Sequence, residues 1–149
     1  MIFIHLGALL VLFVTVLVAD HYVFSWIRGK KETLSEKKLH ILHTLVWVGL
    51  VSMMVSGVWM AWPLKDYFAT SLAFYIKMAF VLALVINGLV IGKLLSVTTR
   101  TPFAELTPKE RLPILISGAV STTSWVGAFI AALFMTTSGW LVYFFSLIF

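Results

Sequence analysis

The residues able to do chemistry in this chain are few, and most of them gather in one stretch. Asp20 and His21 stand just before a short charged hairpin, and His40 and His43 stand just after it. The fourth histidine, His5, is near the N-terminus. Imidazoles at i and i+3, such as His40 and His43, share one helix face and can both ligate one ion. His21 from the preceding helix, with Asp20 as a weaker member, would complete a set for Zn, Fe, Mn or Cu. Asp20 is the weaker member because adjacent residues point about 100° apart around a helix. The pair His21 and His43 also has the chemistry of two axial ligands to haem. That arrangement needs the imidazoles on opposite sides of the iron, whereas sequential helices pack about 8–10 Å apart. Such spacing suits a small ion better than a bis-histidine haem; a haem held by one histidine is less constrained. The structural alternative for each residue is a polar side chain snorkelling from a helix end to the interface.

The elements that position these residues follow from composition. The chain has 149 residues, 61% hydrophobic and 11% charged, with mean hydropathy +1.04. A soluble domain keeps roughly a quarter of its residues charged. So little charge cannot cover a water-facing surface, so lipid must be the solvent. Inside a bilayer only helices and closed barrels satisfy their own backbone. The apolar runs are continuous rather than alternating, which selects helices. The expected architecture is all-α: a single polytopic membrane domain over 1–149, with spans at about 2–26, 39–62, 72–97 and 112–135. These form a four-helix up-and-down bundle. Thr136 to Gly139 breaks the apolar pattern, and 136–149 reads as a short apolar tail, interfacial or partly re-entrant. Thr107-Pro108-Lys109-Glu110 has the pattern of a capped helix start with Pro at the first helical position.

Charge placement predicts the orientation. Nine of the eleven basic residues lie in the first and third loops or, as Lys93, just before the third; the others are Lys65 and Lys77. By the positive-inside rule those loops are cytoplasmic and both termini lie outside, in a bacterial-type inner (plasma) membrane. The ionisable residues then sort by depth. His5 and His21 are sixteen positions apart, roughly 24 Å along a helix, and cannot share a ligand. His5 belongs to the outer layer with Trp59, Trp62 and Lys77; His21 and His43 belong to the inner layer.

Several classes are excluded. There is no cysteine, so disulfides, thiol catalysis and cysteine-ligated metals are out. The net charge of +5 does not imply nucleic acid, because the basic residues sit where topology signals sit. Six acidic residues leave little material for a two-metal carboxylate site or a glycosidase pair. No phosphate-binding loop or Ser-His-Asp pattern is present.

The layout resembles the HemJ-type protoporphyrinogen oxidase family and, more loosely, the copper-resistance D-like membrane proteins. His5 at the start of the first span, Tyr75-Ile76-Lys77-Met78 early in the third, Gly92-Lys93 at its end, and Glu110 and Pro113 before the fourth carry the likeness. The family's Arg after the first span has no counterpart, since Asp20-His21 stands near that place. Its Tyr-His in the third span is replaced by Asn87-Gly88. The resemblance implies a scaffold binding haem b or another porphyrin, with His5 as axial ligand and Lys77 near a carboxylate. The expectation is thus a small redox-type or electron-transfer membrane protein. The alternatives are binding or transport of a divalent transition-metal ion through Asp20, His21, His40 and His43, and a cofactor-free subunit that binds partner helices. The partners expected are the lipid bilayer and, through the small residues Gly49, Ser56 and Gly57, a neighbouring helix of the same chain or of a homodimer.

Overall fold

The computed structural model describes the backbone of residues 2–148, and the side chains of all but 1, 2, 67, 96–98 and 136–149. The elements are α1 (Ile2–Ile27), α2 (Glu36–Ala61), α3 (Lys65–Ala69), α4 (Leu72–Arg100) and α5 (Pro108–Ile148), with short 3₁₀ turns at Trp62–Leu64 and Phe103–Glu105. Four helices are long and apolar enough to cross a membrane, over Phe3–Ile27, Glu36–Leu64, Leu72–Leu95 and Pro108–Met135. The protein is an all-α bundle of four spans.

Local chemistry sets the boundaries. Helix α1 ends in a left-handed cap. Gly29 has φ +70°, its N–H donates to Trp26 O at 3.0 Å, and Lys30 N–H donates to Ser25 O at 2.9 Å. This is the Schellman pattern, which uses glycine because a Cβ is strained at positive φ. Helix α2 begins at Glu36, three residues before the expected Leu39. Ser35 holds the N-cap position in extended backbone without a side-chain cap bond; its N–H donates instead to the Tyr22 hydroxyl at 3.0 Å. Helix α5 begins at Pro108, where proline's missing N–H costs nothing. Thr107 N–H and its hydroxyl both donate to the Glu110 carboxylate, at 2.9 and 2.7 Å. The second loop, read from sequence as a plain connection, contains the one-turn helix α3. Helix α5 is assigned through Ile148, so its backbone does not break at Thr136–Gly139. The interfacial tail expected over 136–149 lies outside the residues whose side chains are described.

Helix α1 packs on α2 and α4 on α5, and α2 against α4 joins the two hairpins. Close approach is made at small residues. A Cβ on Gly49 would stand 3.0 Å from Leu12, and one on Gly88 would stand 3.1 Å from Trp47. A Cβ on Gly127 would overlap the Phe80 ring. Asn87 crosslinks α4 to α5 twice: its Nδ2 donates to Ser117 O at 3.0 Å, and Ser117 Oγ donates to Asn87 Oδ1 at 2.8 Å. The densest apolar cluster, Trp26, Leu34, Leu39, Leu106 and Ile114, closes the end of the bundle that carries the basic loops. Trp26 meets Phe103 edge-on at 5.2 Å, and the Arg111 guanidinium lies 5.3 Å from the same Phe103 ring. Along the spans, large apolar side chains such as Phe13, Val55, Leu82 and Phe129 point outward, as lipid solvation requires.

Candidate functional sites

Two polar sites occupy opposite ends of the bundle. At the first, His5 of α1 reaches α2. Its Nδ1 lies 2.8 Å from Ser56 Oγ, and that hydroxyl donates to Ser52 O at 2.7 Å. Ser56 has one proton and has given it to its own helix, so its oxygen accepts from His5 Nδ1–H. In the tautomer that completes this bond, Nε2 carries the lone pair. Ser56 is buried, which holds the ring in place. Gly57 lies under the ring, where even a Cβ would stand 3.6 Å from His5 Cε1. Lys77 of α4, half-buried, is close enough to act on His5 electrostatically. Trp59 and Trp62 are exposed at the same end, as interfacial indoles are.

At the second site, all four long helices line a partly open cavity of about 160 Å³. Its wall is mostly apolar, with Asp20, His43, Trp47, Asn87, Ser121 and Trp125 among its polar and aromatic members. Trp47 Nε1–H donates to His43 Nε2 at 3.1 Å. The indole nitrogen can only donate and the Gly88 carbonyl can only accept, so His43 Nε2 is engaged whichever tautomer it holds. Gly88 O stands 3.2 Å from that same Nε2. The two rings lie over Gly88 and Gly92 of α4, where Cβ atoms would stand 3.1 Å from Trp47 and 3.4 Å from His43. A residue and its i+4 neighbour on α2 thus seat on a glycine pair spaced by four on α4.

The inner-layer set expected from sequence is not brought together. Asp20, the weaker member by that reading, lines the cavity with His43. Asp20 and His21 are both exposed, but His21, about 100° further round the helix, does not line the cavity. His40 is exposed and faces a separate recess with Glu36, Gly92 and Thr99. Among the described residues, no three His, Asp or Glu side chains could hold one metal ion. His21 and His43 likewise share no cavity that a bis-histidine haem would occupy. Lys77 lies at the His5 end of the bundle, close enough for its charge to act on His5.

Sequence reasoning passed over three contributors. Ser56 was read only as a small packing residue, although its depth on α2 matches that of His5 on α1. Trp47 is four residues beyond His43, a spacing that puts them on one face. Trp125 carried no local signal, because its place in the cavity wall depends on how α5 is rotated.

Comparison with known proteins finds no match: no family model, no curated protein and no solved structure aligns with this chain.

Proposed function

We propose that the protein is a small integral membrane protein of redox type that binds a haem or related porphyrin at the His5 end of the bundle. The observation that carries the reading is the His5–Ser56 hydrogen bond. With His5 Nδ1–H donating to Ser56, Nε2 is left as an imidazole lone pair, and Lys77 is close enough for its charge to act on the ring. Metal-bound histidines commonly donate their other ring N–H to a neighbouring acceptor, which sets orientation and raises ligand basicity. The Lys77 ammonium supplies the cation that a porphyrin carboxylate needs near the interface. His43 is the poorer ligand, because its Nε2 is already engaged by Trp47. The donor set fits a porphyrin with one axial histidine, and haem b held there would supply a one-electron iron couple. The exposed apolar side chains Phe3, Ile4 and Leu72 near this end offer a surface for the rest of the macrocycle, whose outer face then meets lipid or a second copy of the chain. His5 and Lys77 are also among the residues that carry the resemblance to the HemJ-type family.

In this reading the chain lies in a bacterial-type inner membrane, with the His5 end outside and the basic loops in the cytoplasm. The test is an absorption spectrum of the detergent-purified protein, oxidised and dithionite-reduced. A Soret band with reduced α and β bands is expected in the native chain and in His43→Ala, and its loss is expected in His5→Ala. No band, even after hemin is added, would sink the proposal.

A further inference from the structure

The second site has a composition that porphyrin binding at His5 does not use. Asp20 lines the cavity and is itself exposed, and among the described residues no lysine or arginine lines it. A carboxylate facing apolar surface within a membrane span is costly and seeks a cation. The cavity also presents two indoles, Trp47 from α2 and Trp125 from α5. Trp47's N–H is directed to His43, so its polar edge is satisfied within the protein, and its ring, seated on Gly88, lines the cavity. Indole faces attract alkylated ammonium groups through the ring quadrupole, and more strongly when water is excluded. The volume, about 160 Å³, is close to that of an apolar cavity able to hold a single benzene ring.

We propose that this cavity is a binding site for a small lipophilic organic cation: a single-ring or short-chain amine or quaternary ammonium. Asp20 neutralises the charge, Trp47 and Trp125 contact the cationic head, and the aliphatic wall, including Leu50 and Leu84, takes the apolar body. Inorganic cations fit this chemistry less well, because Asn87 and Ser117 are engaged with each other, and Asp20 and Ser121 alone are too few oxygen ligands to replace a hydration shell.

The probe is tritiated benzyltrimethylammonium, bound to the full-length protein in detergent, with neopentylbenzene as competitor. The two molecules have the same shape, with a carbon in place of the charged nitrogen. Saturable binding is expected, with neopentylbenzene competing at least about tenfold more weakly than unlabelled probe. Asp20→Asn preserves shape and removes charge; it is expected to weaken probe binding about tenfold or more, while neopentylbenzene displaces the remaining bound probe with its native affinity. That unchanged competition shows that the cavity of the variant is intact. Trp125→Leu is expected to weaken the probe about three- to tenfold, the range of a cation–π contact. Equal competition by neopentylbenzene, unchanged binding in Asp20→Asn, or no saturable binding to the native chain would each overturn the proposal. None of these readings depends on a haem, so the two sites stand or fall separately.

Discussion

His5 and His43 are the same side chain at two ends of one bundle, and their neighbours give them different chemistry. Ser56 has already spent its proton on Ser52 O, which makes it an acceptor and leaves His5 Nε2 free. Trp47 has only a proton to give, which occupies Nε2 of His43. One variant separates orientation from ligation. Ser56→Ala removes the acceptor while keeping His5, so hemin affinity is expected to fall about 10- to 100-fold, as when the hydrogen-bond partner of a ligating histidine is lost. Hemin titration followed at the Soret band measures it. Ser56→Thr retains the hydroxyl and should recover most of the affinity. If Ser56→Ala binds hemin like the native chain, the imidazole is not held through Nδ1.

At the scale of elements, the helix ends and the helix–helix seams carry separate tests. Gly29 closes α1 at φ +70° with no neighbour that a Cβ would strike. The cost of Gly29→Ala is therefore backbone strain alone, about 1 kcal/mol, read by denaturant unfolding in mixed micelles. Gly127→Ala differs in kind, because its Cβ would run into the Phe80 ring. Overpacking of this sort costs about 1–3 kcal/mol, and Phe80→Leu in the same chain should recover part of it. The Asn87–Ser117 pair joins α4 to α5 by two hydrogen bonds. Polar contacts between membrane helices are worth about 0.6 kcal/mol each, at most about 1.7. Asn87→Ala is thus expected to destabilise the bundle by about 1–2 kcal/mol. A change of less than a few tenths would mean that the two helices hold together by packing alone.

For the whole molecule, the asymmetry is between a tightly packed end and a looser one. The basic-loop end is closed by Trp26, Leu34, Leu39, Leu106 and Ile114, while the opposite end exposes Trp59, Trp62 and Leu72. The charge rule assigns the first end to the cytoplasm. The absence of native cysteine makes the test direct, since each introduced thiol is the sole reporter. Thr33→Cys and Thr101→Cys should be protected from an impermeant maleimide in intact cells and labelled in inverted vesicles. Thr70→Cys, in the second loop, should behave in the opposite way. The reverse labelling pattern would put the His5 site in the cytoplasm.

Composition and hydropathy alone determined much of this protein: an all-α membrane domain, four spans, and the helix start at Thr107-Pro108. Local backbone chemistry and apolar run length decide those features, and both are written along the chain. Depth was legible too, because rise per residue is constant, so His5 and Lys77 could be assigned to one layer. Which way a residue faces was not. The helices are apolar on nearly every side, so no amphipathic stripe marks the inward direction. Rotation is settled only by packing, through contacts such as Leu12 on Gly49 and Trp47 on Gly88. Tertiary structure therefore decided that Asp20 rather than His21 lines the cavity, that His40 leaves His43, and that Trp125 from a distant helix lines the same cavity.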